Sequence, residues 1–186
     1  MKRVFDLVLA LFVLVVLTVP MAFVALLVRL TSKGPALYWS KRVGRNNKIF
    51  LMPKFRSMRL NTPQVATHLL SNPKDHLTPI GEFIRKSSLD ELPQLFSVFA
   101  GDMSFVGPRP ALYNQDDLVA LRTSVNVQTL KPGITGWAQI NGRDEIPILD
   151  KVKLDEYYCK NRSFWFDLKI IFLTVTKVLS AKNVTH

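Results

Sequence analysis

The chain has 186 residues, 48% of them hydrophobic, and 25 basic against 14 acidic side chains give it a formal charge of +11. With a pI near 10.0 and a positive mean hydropathy of +0.14, this balance points to a membrane surface rather than to nucleic acid. Cys159, the single cysteine, excludes an internal disulfide and suits a reducing compartment, and His68, His76 and His186 lack zinc-ligand spacing. The length suits one compact domain with an appendage. No interleaved stacking motif or recognition helix supports a tethered nucleic-acid-binding protein.

Val4 to Leu30 is apolar except for Asp6, Thr18, Pro20 and Arg29. It is too long for a signal-peptide core, no small-residue cleavage site follows it, and about 20 apolar residues suffice to span a bilayer. Both flanks are basic, Lys2 and Arg3 before it and Arg29, Lys33, Lys41, Arg42 and Arg45 after it. The positive-inside rule therefore puts both ends in the cytoplasm. A chain with both ends on one side turns round, and Pro20 lies near the middle, so a re-entrant helix-break-helix over residues 1–33 is expected. Thr18 is placed to satisfy a carbonyl freed by Pro20. The alternative is an ordinary spanning helix with a proline kink. Asp6 is expected at headgroup level, partnered by Lys2 or Arg3.

Residues 34–186 read as a cytoplasmic α/β domain, mostly helical with a small β-hairpin. Between Asp6 and Asp75 there are ten basic residues and no acidic one, which suits anionic headgroups or a phosphate-bearing ligand. Ala36 to Trp39 and Ile49 to Met52 read as strands joined by a turn over Val43 to Asn47. Lys54-Phe55-Arg56-Ser57-Met58 then directs two cations from the strand end. Asn61 to Asp75 reads as a surface loop. A short helix capped by Thr78, with Pro79 at its first position, runs through Lys86.

At the centre stand two adjacent carboxylates, Asp90 and Glu91, where a helix to about Ala100 begins. Either Asp90 is its N-cap, or Ser88 caps and Glu91 closes a capping box. In both cases the helix dipole favours ionised carboxylates. A plain cap is the bland reading, but Arg85 upstream and the Gly107-Pro108-Arg109-Pro110 turn downstream are too charged and too rigid for an idle linker. A helix over Leu112 to Arg122 follows, with Arg122 on a solvated face. Lys131 to Arg143 holds three glycines and a proline in thirteen residues, which suggests a loop and short strand whose backbone approaches something closely. From Leu168 to Leu179 apolar residues recur at helical spacing behind Phe164-Trp165-Phe166. That is either a terminal helix packed on the core or an interfacial helix with an aromatic anchor.

Lys54 to Met58, Ser88-Leu89-Asp90-Glu91-Leu92-Pro93-Gln94, Gly101 to Pro110 and Lys131 to Gln139, taken together and in order, resemble the bacterial sugar transferase family, the monotopic phosphoglycosyl transferases. The chain looks like their minimal catalytic unit. The resemblance implies transfer of a sugar 1-phosphate from a UDP-sugar to undecaprenyl phosphate, with Mg²⁺ as cofactor and release of UMP. That reaction opens assembly of a surface glycan such as O-antigen, capsule or glycoprotein glycan at the cytoplasmic face of the bacterial inner membrane. It further implies that Asp90 is nucleophile and magnesium ligand, and that Glu91 assists the acceptor phosphate. Lys54, Arg85, Arg109 and Arg143 are the substrate-binding cations. The resemblance points to an N-acetylated amino sugar as the group carried, though no residue derives it. Membrane lipid is an expected partner and a homodimer is left open. Two departures stand out: Thr18-Val19-Pro20 where relatives have Ser-Pro, and Pro53 where relatives have an aromatic, which suggests a strand that ends early. The rival readings are a non-catalytic membrane scaffold of a glycan assembly complex and hydrolysis of the UDP-sugar by water.

Overall fold

The computed structural model describes residues 1–63, 72–142 and 146–179. Its first element, α1 (Lys2–Thr31), is a single helix with Pro20 inside it, about 45 Å long at 1.5 Å per residue. The expected helix-break-helix is therefore corrected to one continuous helix. Pro20 removes only one backbone donor, the one facing Val16, and the flanking turns carry the helix past it. Thr18 does not serve the freed carbonyl, because its hydroxyl donates to Leu14 O at 2.7 Å.

Two opposite stripes run along α1. Asp6, Ala10, Met21, Val24 and Val28 are buried, while Val4, Val8, Leu11, Val15, Val19, Phe23, Leu26 and Leu30 are exposed. On the inner stripe Ala10, Val13 and Leu14 pack with Met52, Leu95, Val98 and Met103. Further along, Met21, Val24 and Val28 pack with Phe55 and Ile84. The helix thus shares its core with the rest of the molecule. The chain leaving its C-terminus is held by Arg56, which is buried and donates to Ser32 O at 3.0 Å and to Lys33 O. This is a familiar use of arginine at a helix end.

Asp6 is corrected from headgroup level to the interior. It is 3% exposed and accepts from Ser104 Oγ at 2.8 Å and Phe105 N at 3.2 Å. Neither expected partner reaches it. Lys2 pairs with Asp167 at 2.5 Å, and Arg3 donates to Val98 O and Phe99 O.

Strands β1 (Leu37–Val43) and β2 (Ile49–Phe55) form the expected antiparallel hairpin, with Ser40 opposite Met52. Asn46 and Asn47 turn it at positive φ, 54° and 59°, which asparagine tolerates better than most residues. Pro53 does not end β2 early: it pairs with Trp39 inside the strand. In a two-stranded sheet both strands are edges, where a missing donor is tolerated.

The helices α2 (Gly81–Lys86) and α3 (Gln94–Ala100) precede β3 (Ser104–Val106); α4 (Asp116–Ser124), β4 (Gly133–Thr135), α5 (Trp137–Ile140), α6 (Ile148–Asn161) and α7 (Phe164–Leu179) follow. Thr78 does not cap α2. Its hydroxyl turns back to Ser57 O, and Gly81 lies so close to that carbonyl that a Cβ would meet it at 2.1 Å. The helix expected from Leu112 starts at Asp116 instead. Residues 64–71 of the expected loop lie outside the described residues, and its end, Pro73–His76, is a short 3₁₀ turn.

β3 and β4 pair in parallel, Ser104 with Gly133 and Val106 with Thr135. This is the close approach expected of the glycine-rich stretch. A Cβ on Gly133 would sit 2.2 Å from Gly107 N, and one on Gly136 would sit 2.1 Å from Gly107 O. Only glycine lets this backbone lie against the start of the Gly-Pro-Arg-Pro turn. Behind the pair, Val106, Leu130, Ile140, Tyr158 and Ile170 form one core and Ala111, Leu118 and Val152 another.

Candidate active site

Asp90 and Glu91 lie on a 3₁₀ turn, Leu89–Glu91, between α2 and α3. Leu89 and Leu92 pack on the core of Phe55, Ile84 and α1, which fixes the turn that carries the carboxylates. Neither expected capping scheme forms. Ser88 precedes the turn with left-handed φ, 58°, and makes no capping hydrogen bond, and α3 begins separately behind Pro93. Both carboxylates are therefore left over for other work.

Their surroundings differ sharply. Glu91 Oε1 accepts from Lys54 Nζ at 2.8 Å and from Arg109 Nη2 at 2.8 Å, while Arg109 Nη1 reaches Oε2 at 3.3 Å. Burial pushes the Glu91 carboxyl up, but Arg109 and Lys54 more than offset it and hold it well below the usual range. Asp90, 8% exposed, is shifted the other way. Burial raises its carboxyl, Lys54 draws it down, and the neighbouring Glu91 charge raises it again. Among the described residues no hydrogen bond to the Asp90 carboxylate is formed. The helix dipole expected to favour both ionised forms does not decide the matter for Asp90, because desolvation is the larger effect. Burial lowers Lys54, and Glu91 partly restores it.

Arg109 is held from behind. Four consecutive carbonyls of its turn each accept a hydrogen bond: Pro108 O from Gly133 N at 2.9 Å, Arg109 O from Arg122 Nη1 at 2.8 Å, Pro110 O from Arg42 Nη1 at 3.1 Å and Ala111 O from Val43 N at 2.9 Å. Pro108 and Pro110 fix their own φ. The guanidinium is thus presented by a backbone with little freedom.

Of the expected site residues, the structure brings Asp90, Glu91, Lys54 and Arg109 together. Arg85, in the last turn of α2, is near enough for its field to lower the Asp90 carboxyl. Arg143 lies outside the described residues. Arg56, expected alongside Lys54, leaves for the end of α1. Arg122 is corrected from a solvated face to the interior: it is 7% exposed and bonded to Asp155 Oδ2 at 2.9 and 2.6 Å. Asp155 was not singled out by the sequence, and Arg42 was read only as a basic flank of the apolar segment.

Among the described residues no group of three or more His, Cys, Asp or Glu side chains that could hold a metal ion occurs. Mg²⁺ needs no such cluster, because it keeps several waters and is commonly bound through one or two carboxylates and substrate phosphates. Asp90, with its carboxylate free of hydrogen bonds to described residues, is the donor such an ion would use.

The chain belongs to the bacterial sugar transferase family, whose model matches residues 1–181. It is 40% identical, over 96% of its length, to the undecaprenyl-phosphate galactose phosphotransferase of Salmonella typhimurium. It is 41% identical, over 95%, to the UDP-glucose:undecaprenyl-phosphate glucose-1-phosphate transferase of Escherichia coli. It spans 40% of the length of each of these two relatives. It is also 43% identical, over 99% of its length, to the uncharacterized sugar transferase EpsL of Bacillus subtilis, and covers 90% of that protein.

Proposed function

We propose that this chain transfers a sugar 1-phosphate from a UDP-sugar to undecaprenyl phosphate, releasing UMP, by way of a phosphosugar-aspartate on Asp90. The observation that carries the reading is the asymmetry of the carboxylate pair. Glu91 has its oxygens engaged by Lys54 and Arg109, whereas Asp90 is desolvated, free of hydrogen bonds to described residues and raised above the ordinary aspartate range. A carboxylate of that kind is the better nucleophile. In the first half, an Asp90 oxygen bonds to the sugar-bearing phosphorus and the phosphoanhydride bond breaks, so that UMP leaves with the electron pair. In the second, an oxygen of the lipid phosphate attacks the same phosphorus and Asp90 leaves. Mg²⁺ held by Asp90 would offset the diphosphate charge. Lys54, Arg85 and Arg109 do so from the protein side, Arg109 through a fork that matches phosphate oxygens, and Glu91 keeps Lys54 and Arg109 aimed until substrate competes for them.

UMP release from a panel of UDP-sugars, with undecaprenyl phosphate and Mg²⁺, tests this. UDP-glucose and UDP-galactose stand for the relatives' names, and N-acetylated amino sugars for the resemblance. Turnover of one donor is expected; no UMP from any member overturns the proposal, and UMP formed equally well without the lipid acceptor favours hydrolysis. The pH profile carries a second expected result. The Glu91 charge helps raise Asp90, so Glu91→Gln should move the acid limb of kcat/KM to lower pH while reducing the rate. An unmoved limb would assign it to another group.

The membrane seat belongs to the same proposal. Exposed Phe164, Trp165, Phe172, Val175 and Val178 of α7 add to the outer stripe of α1, apolar surface suited to acyl chains with an aromatic rim, and the two helices meet near their starts through Phe5 and Phe164. A spanning α1 would have to give up its inner-stripe packing and take Asp6 away from Ser104 Oγ and Phe105 N. Packed as it is, the helix lies along the domain, half sunk in one leaflet of the inner membrane, with both ends cytoplasmic. In a Cys159→Ser background, cysteines on a tag ahead of Met1 and at Lys33→Cys should both resist impermeant thiol reagents in intact spheroplasts. Ready labelling of the tag alone would mean that α1 crosses.

A further inference from the structure

Burying an arginine and an aspartate together needs a reason other than stability. Arg122 on α4 and Asp155 on α6 are 7% and 2% exposed, and burial alone raises the Asp155 carboxyl despite the arginine beside it. A well-packed apolar pair in such a place is often as stable as the ion pair, or more so. What an apolar pair cannot supply is the third bond: with Nε and Nη2 fixed on Asp155 Oδ2, Arg122 Nη1 points at Arg109 O, 2.8 Å away. A small cavity of about 30 Å³ lies on this side of the turn, lined by Pro108, Arg109, Pro110, Arg122, Gln128 and Leu130 among others. The side of the turn that Arg122 holds is thus not closed by side-chain packing alone.

We infer that Arg122 and Asp155 are a positioning pair for Arg109: Asp155 orients the Arg122 guanidinium, and Arg122 anchors the Arg109 backbone so that its side chain meets Glu91 and the incoming diphosphate in one geometry. This rests on the proposed transfer reaction for its consequence in rate, but not for its consequence in structure. Lysine at 122 can keep a bond to Asp155 but lacks the fork that serves both partners at once. Neither residue touches the reacting atoms, and their whole effect is transmitted through Arg109.

Two measurements decide it. Hydrogen-deuterium exchange in Arg122→Lys should rise at least about threefold in peptides covering residues 104–113 and stay unchanged in α1 and α7. Unchanged exchange in 104–113 overturns the inference whether or not the protein turns over any sugar, so its failure is distinguishable from failure of the proposed function. In UMP release, Arg122→Lys should lower kcat/KM about fivefold in the wild-type background and leave Arg109→Ala without further loss, the non-additivity of residues acting as one unit. Equal proportional losses in both backgrounds would make Arg122 merely structural. The apolar replacement Arg122→Met with Asp155→Leu should melt at or near the wild-type temperature and still show the kcat/KM loss. Full activity in that double variant also overturns the inference.

Discussion

Asp90→Asn is expected to abolish turnover, by at least about a thousandfold, while the protein folds and melts at or above the wild-type temperature. The two halves of this expectation come from the same burial. Asp90 makes no cap that asparagine would have to replace, so the substitution removes charge and nucleophilicity and little else. The folded-state carboxyl is raised above its unfolded value. Its contribution therefore favours folding at pH below the unfolded pKa and is lost as pH rises through the folded one. At neutral pH the ionised group opposes folding, and neutral asparagine removes that cost. Calorimetry at pH 7 and UMP release check both halves. In the wild type with donor and Mg²⁺ but no lipid, up to one UMP per site should appear, and intact mass should rise by one phosphosugar on the peptide holding Asp90. Intersecting double-reciprocal lines, no adduct and an active Asp90→Asn would together return Asp90 to a structural role.

Arg109→Lys should lower kcat/KM at least about tenfold, which is about 1.4 kcal/mol of transition-state stabilisation. The charge survives, but the fork that binds both Glu91 oxygens does not, and an ammonium cannot present two parallel donors to a phosphoryl group. Because the backbone beneath is fixed by four carbonyl bonds, the lysine cannot recover by shifting the turn. A full kinetic comparison across donor concentrations is the check. A rise in KM alone would mean that Arg109 only binds the donor; loss in both kcat and kcat/KM would mean that it acts on the transferring phosphoryl group.

Much of this site was legible because its signals are local. Adjacent carboxylates, a Gly-Pro-Arg-Pro turn and a Lys-Phe-Arg strand end stand out in one dimension, and the hairpin follows from two short apolar runs on either side of Val43 to Asn47. What was missed is polar residues doing interior work. On α6 the buried positions are Val152, Asp155 and Tyr158, so an aspartate interrupts the apolar stripe by which a helix is usually recognised. On α4 they are Leu118 and Arg122, and an arginine there reads as solvent-facing until its partner, 33 residues away, is known. Asp6 misled for the same reason: a carboxylate near the start of an apolar helix looks like a headgroup residue unless Ser104 is seen to donate to it inside the core. The proline at 20 and the proline at 53 were over-read in one direction. Each removes a single donor, and both the long helix and the edge strand absorb the loss.

The lock between Lys2 and Asp167, 165 positions apart, has a consequence for how the protein is made. Synthesis makes α1 before the residues it packs on: Asp6 gains Ser104 only 98 residues later, and Lys2 waits for Asp167. Until both are made, part of the inner stripe of α1 lacks its packing partners. The contact between Lys2 and Asp167 therefore closes the fold rather than begins it.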